Sequence, residues 1–367
     1  MERLTVANGL MKSHPPTLVC LALLALLPVA ARPADYTVNA WKIGVSVTPD
    51  APSIMLGEPT WLSFKVENFS DENLQLIVGG DYRNEYGRPN SFKIRVTDEN
   101  GRAVLQPQVK FEAGGMVGPQ PLLAKSNYTF RLFVPHWATF DGPGRYTFEC
   151  ARPLQLVKST KDTAFWRNIP GVEVSAKTEL AVTPPDFVRM GEVIEKLGAE
   201  LLTASETSST DARKALASIH DDRVLPIWLK CQEQKTYEAK FHALTALGDY
   251  PAAESVEALK RAMDLKGDDL PNCCTTAQGA ESLAKNLRIA AVHALAKNTN
   301  PEARKFLLAR RQTGDDELRL TVVHMLGREK NDESSKLLSE MTADPAKLVS
   351  SEAARYLRER GFTKRTQ

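Results

Sequence analysis

The sequence predicts a molecule of two parts, all-β and then all-α: an antiparallel β-sandwich followed by an α-solenoid. This prediction rests on two observations. Between residues 36 and 184, apolar and polar residues alternate with period two, which is typical of half-buried strands. In the carboxy-terminal part, leucines in similar settings recur at positions 216, 247, 295, 326 and 357, at one constant interval apart from a single longer gap. A chain of 367 residues is long enough for two such domains.

Residues 1–31 are predicted to be a signal peptide. Arg3 and Lys12 precede an apolar run from Leu18 to Ala31, whose small final residues suit a signal peptidase. The run is shorter than the roughly 20 residues that a membrane span needs. We therefore expect a secreted or periplasmic protein with no integral membrane segment after signal removal. An uncleaved anchor is the alternative.

The charge balance of the chain bears on two kinds of partner, nucleic acid and anionic membranes. Its net charge is +2, from 47 Lys and Arg against 45 Asp and Glu, without a long run of one sign. Such a balance does not favour nucleic acid or an anionic membrane surface.

The segment 36–184 predicts about seven strands separated by turns rich in glycine and proline. The predicted strands are 45–48, 60–66, 74–78, 92–97, 128–134, 146–150 and 178–182. Seven strands in a segment of this length are typical of an antiparallel sandwich.

The stretch 141–150 (DGPGRYTFEC) resembles the G-x-Y ending of immunoglobulin-like domains, which implies an immunoglobulin-like β-sandwich over 36–184. Tyr146, Phe148 and Cys150 share one face and should point inward. The family's cysteine follows the tyrosine by two residues, whereas Cys150 follows Tyr146 by four. No partner cysteine precedes it in the mature domain. The cross-sheet disulfide is therefore not expected, and Cys150 is predicted to be a buried free thiol.

Two long loops carry aromatic residues. Loop 81–91 contains Tyr82 and Tyr86, and loop 158–170 contains Phe165 and Trp166. Aromatic side chains in polar loops can grip a partner, so these four are candidate partner-binding residues. The alternative is that the rings fold back onto the sandwich.

Residues 185–210 are predicted to be a capping helix and linker. Asp186 is a good N-cap, and apolar residues then recur at helical spacing, before a polar stretch at 203–210 that predicts a loop. The helix should cover the open end of the repeat array and couple it to the sandwich.

The repeats share three apolar positions per unit. The marker leucines are Leu216, Leu247, Leu295, Leu326 and Leu357. Four residues earlier stand Ala212, Ala243, Ala291, Val322 and Ala353. Twelve residues after the first four markers stand Trp228, Leu259, Leu307 and Leu338. This pattern predicts two-helix units that bury their apolar faces only against neighbours.

Two of these segments, 287–295 (LRIAAVHAL) and 239–248 (AKFHALTALG), are similar to the short HEAT-like repeats named after the bilin lyases. The resemblance implies a right-handed α-solenoid over 211–362, followed by a tail at 363–367. It does not imply bilin chemistry, because a fold does not fix a function.

The one irregular spacing, between Leu247 and Leu295, marks an insertion near 264–280. Insertions of this kind become loops on one face, often the binding face, so Asp268 and Asp269 are candidate contact residues. Export permits disulfides, and we expect Cys231 to pair with Cys273 or Cys274 and pin the insertion. Three unpaired thiols are the alternative.

No catalytic, cofactor-binding or metal-binding residues are predicted. The chain contains no G-x-S-x-G, H-E-x-x-H, P-loop or G-x-G-x-x-G motif. His242, His293 and His324 recur in the first helices of their repeats, but no third ligand accompanies them, so they are interpreted as polar surface positions.

The favoured hypothesis is an exported, non-catalytic scaffold that binds a protein through the solenoid surface and the insertion. One alternative is an enzyme or enzyme subunit with a site at the domain junction, near Trp137, Trp166 and Asp268. Another is a cell-wall or carbohydrate-binding protein that uses the loop aromatics, with a glycan as its partner.

Overall fold

The computed structural model describes residues 33–80, 91–108, 116–158, 170–203, 206–234, 236–270, 276–312 and 315–361. Within these ranges, a β-rich amino-terminal region with antiparallel sheets is followed by a helical carboxy-terminal region. This is the order of the two parts that the sequence predicts.

The β-rich region contains eleven strands within the described residues. They are β1 (Ala34–Val38), β2 (Trp41–Pro49), β3 (Ser53–Met55), β4 (Trp61–Asn68), β5 (Leu74–Gly80), β6 (Lys93–Asp98), β7 (Met116–Leu122), β8 (Asn127–Phe133), β9 (Gly144–Leu154), β10 (Leu156–Val157) and β11 (Val172–Thr183). All seven predicted strands lie within or overlap these elements. The sequence analysis missed β1, β3, β7 and β10, which are short or interrupted by proline and glycine.

These strands form three sheets, ordered β1-β2-β4-β8, β3-β11-β9-β6 and β10-β5-β7. Neighbouring strands are antiparallel except β3 and β11, which pair in parallel. The long strand β9 is central in its sheet, between β11 and β6.

All three sheets contribute side chains to one hydrophobic core. Strand β4 buries every second residue, as its period-two pattern predicts. Tyr146, Phe148 and Cys150 point inward and are at most 6% exposed, which confirms their predicted orientation. Cys150 is a free thiol, and burial raises its pKa to about 12.

The helical region contains ten α-helices within the described residues. They are α1 (Phe187–Thr203), α2 (Glu206–Ser218), α3 (Leu225–Glu233), α4 (Tyr237–Leu247), α5 (Ala253–Ala262), α6 (Ala277–Lys297), α7 (Pro301–Ala309), α8 (Asp316–Arg328), α9 (Asp332–Met341) and α10 (Lys347–Glu359). Marker leucines lie on α2, α4, α6, α8 and α10, which we call the first helices. The second helices α3, α5, α7 and α9 carry the apolar residue twelve positions later.

The repeat positions form the core of the helical region. Every residue four positions before a marker leucine is at most 1% exposed, and so is every residue twelve positions after one. Four marker leucines are equally buried, and Leu357, on the last helix, is half-buried. The partial exposure of Leu357 follows from its place at the end of the array.

The structure corrects the prediction of a loop at 203–210, because α2 already begins at Glu206. Serine and threonine are poor helix formers in isolation. Here tertiary packing decides the matter, since Ala212, Ala215 and Leu216 of α2 are fully buried and α2 packs along α1. Short-range propensity gave the wrong answer for this segment.

The structure also corrects the prediction that the whole insertion is a loop. Helix α6 begins at Ala277, nearly twice as far before its marker leucine as α4, α8 and α10 begin before theirs. The last residues of the insertion, 277–280, therefore form about the first turn of α6. The first part contains a 3₁₀ turn, Gly267–Asp269.

Helix α1 joins the two regions. Asp186 caps it, accepting hydrogen bonds from the N–H groups of Val188 and Arg189. Arg189 then pairs with Glu58 at 2.6 Å, across to the loop between β3 and β4. A second contact is made by Arg131 of β8, which pairs with Asp50 and lies 3.7 Å from Asp211 of α2. Ion pairs therefore connect the β-rich region to α1 and α2.

Candidate functional site

Three neighbouring first helices, α6, α8 and α10, form one polar surface. Its members touch from helix to helix: His293 lies 3.6 Å from Glu317, and the His324 ring makes a 3.2 Å hydrogen bond to the Tyr356 hydroxyl. The side chain of His293 is 55% exposed. We call these four residues the α6–α8–α10 surface. It offers hydrogen-bonding groups and one aromatic ring over three consecutive repeats.

The histidines on this surface are spaced by the repeat itself. His293 precedes the marker Leu295 by two positions, and His324 precedes the marker Leu326 by the same two. Burial lowers the pKa of His324. The nearby Glu352 carboxylate raises this pKa, and the neighbouring cations lower it further. A neutral His324 at physiological pH can both donate and accept hydrogen bonds.

Arginine–carboxylate pairs fix the spacing of successive repeats. Arg304 of α7 binds Glu329 through two hydrogen bonds of 2.8 and 2.9 Å. Arg319 of α8 binds Asp344 through bonds of 2.8 and 3.1 Å. The first pair connects α7 to the end of α8, and the second connects α8 to the turn between α9 and α10. Bidentate pairs of this kind restrict geometry as well as adding attraction.

A cavity of about 140 Å³ interrupts the row of first helices. Helices α4, α6, α8 and α10 pack on one another in sequence, but in the described part of the chain α2 and α4 make little contact. The cavity lies at this break. Residues that line it include Leu201, Arg213, Trp228, Cys231, Ala239 and His242.

Burial shifts the pKa values of two side chains that line this cavity, Cys231 and His242. Burial raises the pKa of the Cys231 thiol to about 11. Burial, together with the charge of Arg213, lowers the pKa of His242 to about 4. The Cys231 thiol is therefore protonated and His242 neutral at pH 7. The lining also includes the charged side chains of Arg213 and Glu238, so the cavity has both apolar and charged walls.

The first half of the insertion is held firmly on α6. The Gly267 N–H donates to the Glu281 carboxylate at 2.9 Å, and Arg288 bonds both Glu281 and the Leu265 carbonyl. A Cβ at Gly267 would lie 2.9 Å from the Glu281 nitrogen, so only glycine fits this close approach. The insertion therefore starts from a fixed position.

The two predicted acidic contact residues have different roles. Asp269 accepts a hydrogen bond from the Lys266 N–H and so closes the 3₁₀ turn. Asp268 is exposed and stands beside it. Of the pair, Asp268 is the one available for an outside contact.

Several predicted site residues lie outside the described residues. These are Tyr82, Tyr86, Phe165, Trp166, Cys273 and Cys274. Cys231 is a buried free thiol. Its pairing with Cys273 or Cys274 stays a prediction.

Of the residues of the junction hypothesis, Trp137 is 4% exposed inside the β-rich core, Asp268 is on the insertion against α6, and Trp166 lies outside the described residues. The two regions contact each other through ion pairs of Arg131 with Asp211 and of Arg189 with Glu58. Sequence reasoning missed these residues, because charged residues on separate elements carry no shared spacing.

Neither a metal-binding cluster nor a membrane-crossing helix is found in the described ranges. No cluster of three or more His, Cys, Asp or Glu side chains there could hold a metal ion. No helix there has the length and apolar character needed to cross a membrane.

Residues 276–358 match the family model for HEAT repeats. The matched segment runs from the start of α6 to the end of α10, and so includes the whole α6–α8–α10 surface. No curated protein matches the chain in sequence.

Solved structures give only weak likenesses. Human deoxyhypusine hydroxylase in complex with glycerol is 12% identical over 47% of this chain and 86% of that chain, with a TM-score of 0.21. A β-glucosidase from Erythrobacter marinus is 14% identical over 39% of this chain and 16% of its own, with a TM-score of 0.20. BslA, a bacterial hydrophobin, is 12% identical over 39% and 95%, with a TM-score of 0.18. Similarities this low support no conclusion about activity.

Proposed function

We propose that the chain is an exported, non-catalytic interaction protein whose helical region binds a protein partner along the α6–α8–α10 surface. The observation that supports this most is the match to HEAT repeats over 276–358, because stacked helical repeats commonly serve as extended binding surfaces. The polar and aromatic side chains of the surface add specific contacts. Exposed Asp268 extends the surface to the insertion.

The helical region is proposed to be an α-solenoid. Its first helices α4, α6, α8 and α10 contact each other extensively, whereas the described second helices contact each other little. Closer spacing on one side of a stack bends the stack towards that side. The first helices would then line the concave face, where a partner segment finds the largest contact area.

The β-rich region is proposed to be an immunoglobulin-like sandwich that acts as a second module or spacer. The Tyr146 hydroxyl donates a 2.7 Å hydrogen bond to the Gly142 carbonyl, four residues upstream. This contact is similar to the tyrosine corner of such domains, and β6, β9 and β11 have the order of their strands C, F and G. The ion pairs of Arg131 and Arg189 would hold this module at a set angle to the helices.

Binding is tested with the full chain as bait for partners from the exported fraction of the cells that encode it. His293→Glu places a second negative charge beside Glu317, on the proposed surface. Lys305→Glu is the matched control, because Lys305 is 77% exposed on second helix α7. We expect one stoichiometric partner, at least ~10-fold weaker binding by His293→Glu, and wild-type binding by the control. Equal binding by all three proteins, or no partner for any, would contradict the proposal.

Export is tested separately by sequencing the amino terminus of the protein recovered from outside the cytoplasm. Cleavage by a signal peptidase predicts a new terminus close to Ala31. A terminus at Met1 in a membrane fraction would instead favour an uncleaved anchor.

A further inference from the structure

The cavity at the break between α2 and α4 is large enough for a small ligand. Its volume is about 140 Å³. Four helices form its wall, since the lining residues come from the end of α1, from α2, from α3 and from the start of α4. An apolar cavity of about 150 Å³ engineered into another protein binds benzene. The space therefore suits a single six-membered ring.

The wall changes from buried to exposed, which gives the cavity a closed floor and an open rim. Trp228 and Cys231 of α3 are each 1% exposed and form the floor. The leucines at 201–202 of α1 are half-buried. Thr236 and Glu238 are exposed and form the rim. A small molecule that enters past the rim thus meets mainly apolar side chains further in.

The lining as a whole favours a neutral ligand. Arg213 and Glu238 contribute one charge of each sign. At pH 7 the Cys231 thiol, with a pKa of about 11, is protonated, and the His242 imidazole, with a pKa of about 4, is neutral. An ion of either sign would lose hydration on entry and meet a charge of its own sign as well as an opposite one. A hydroxyl group avoids that cost and suits the neutral imidazole, which offers one donor and one acceptor.

We propose that this cavity is a binding site for a free, neutral, single-ring aromatic molecule such as a phenol. The site is separate from the proposed protein-binding surface, because none of its lining residues belongs to the α6–α8–α10 surface. An aromatic ring suits the floor, where the Trp228 indole offers an aromatic contact and Cys231 a polarisable sulfur. The volume admits one ring and excludes larger ring systems.

Titration of the full chain with phenol, followed by its thermal unfolding, tests this site. We expect a saturable rise in Tm that is half-maximal on the order of 1 mM, because a small ligand that binds only the folded state stabilises it. A wild-type Tm that phenol does not raise overturns the proposal, whatever any variant does.

Two further compounds test the charge and the source of the ring. Benzoate carries a negative charge on the same ring, and it should raise the Tm less than phenol does. N-acetyltyrosinamide carries the phenol ring on a peptide backbone, and it should give no rise, because it is too large to be enclosed. An equal rise with benzoate contradicts a neutral ligand. An equal rise with N-acetyltyrosinamide assigns the cavity to a side chain of a protein partner and overturns the proposal of a free molecule.

Two variants locate the bound phenol. Ala239→Phe adds a ring at the α4 wall of the cavity, so its Tm should not respond to phenol. Ala253→Phe, at an exposed position of α5 outside the lining, should respond like wild type. An undiminished response of folded Ala239→Phe places the phenol elsewhere and overturns the proposal. If that variant does not fold, nuclear Overhauser effects between phenol and the Trp228 ring of the wild type make the same assignment, and their absence at saturation overturns it.

Discussion

The two regions of this protein connect their residues over very different distances along the chain. In the β-rich region, Tyr36 exchanges hydrogen bonds with the backbone of Ser175, 139 residues away. In the helical region, Arg304 and Arg319 each reach a partner only 25 residues away. Non-local sheets form and break as a unit, whereas stacked repeats depend mainly on neighbours. A destabilising substitution should therefore open the whole β-rich region, but only the neighbouring repeats of the helical region.

The regions also differ in how they treat buried charge. The side chain of Arg319 in the helical region is only 11% exposed and meets Asp344 in a bidentate pair. The fully buried Arg152 of the β-rich region contacts aromatic rings and one backbone carbonyl, but no carboxylate of the described residues. A bidentate ion pair restricts the geometry of the elements that it joins, whereas cation–π contacts offset only part of the desolvation of a buried guanidinium. The comparison thus separates an arginine held by a carboxylate from an arginine surrounded mainly by aromatic rings.

Core truncations should give the largest effects and test the difference in range. Phe148→Ala should cost about 3–5 kcal/mol and Leu326→Ala about 2–5 kcal/mol, because each removes a fully buried side chain. Hydrogen exchange by mass spectrometry should show all sheets opening in the first variant, but mainly α8 to α10 opening in the second. Faster hydrogen exchange in the sheets of Leu326→Ala would contradict the expectation that its effect stays within the neighbouring repeats.

A smaller effect is expected where repeats approach most closely. A Cβ at Gly248, directly after a marker leucine, would lie 3.0 Å from the backbone of Ala294. Gly248→Ala should therefore cost about 1–3 kcal/mol by forcing α4 away from α6. Gly118→Ala is the control in the β-rich region, where a Cβ meets nothing within 4 Å. Similar Tm values for the two variants would refute the close packing.

The pH dependence of stability should differ between the regions because of His242. Its folded pKa is about 4, below the unfolded value near 6.5, so the unfolded state binds the proton first as pH falls. Stability from this group is complete above pH 6.5 and is lost as pH falls towards 4. We expect a loss on the order of 1–2 kcal/mol between pH 7 and 5.

His242→Gln should remove that loss. Urea unfolding at pH 7 and pH 5 measures it, with signals taken separately from the helices and the sheets. If the variant and the wild type lose equal stability, His242 is not the titrating group.

Exposed ion pairs should give the smallest effects. Arg304→Gln should cost about 0.5–1 kcal/mol, less at high salt, because Arg304 is partly exposed. Arg145→Gln, which removes a cross-strand pair with Glu179 at 3.5 Å, should cost close to nothing. Chemical denaturation in low and high salt distinguishes the two. If Arg145→Gln lowers the free energy of unfolding more than Arg304→Gln does, the expected order of the two ion pairs is wrong.

Much of the fold could be predicted because burial repeats along the chain. Marker positions such as Leu247 and Leu295 are buried at helical spacing, and β4 buries alternate residues. Local propensity failed where packing outweighed it, as at Glu206, which starts a helix in a polar stretch. It also failed where an insertion extended α6.

The candidate sites were less predictable. The cavity beside Trp228 and Cys231 exists because α2 and α4 separate, and no residue pattern records that separation. Arg152 stands in a strand pattern at an inward position, a signal that could have been noticed from the sequence. Its lack of a carboxylate partner among the described residues could not have been noticed there.

The sequence by itself determined the two periods, the order of the two regions and the residues that face each core, because side-chain burial follows backbone periodicity. Only the tertiary structure decided which charges meet, where helices separate to leave a cavity and that the buried Arg152 has no carboxylate partner among the described residues. Those properties depend on distances between elements far apart in the chain, and periodicity carries no information about them.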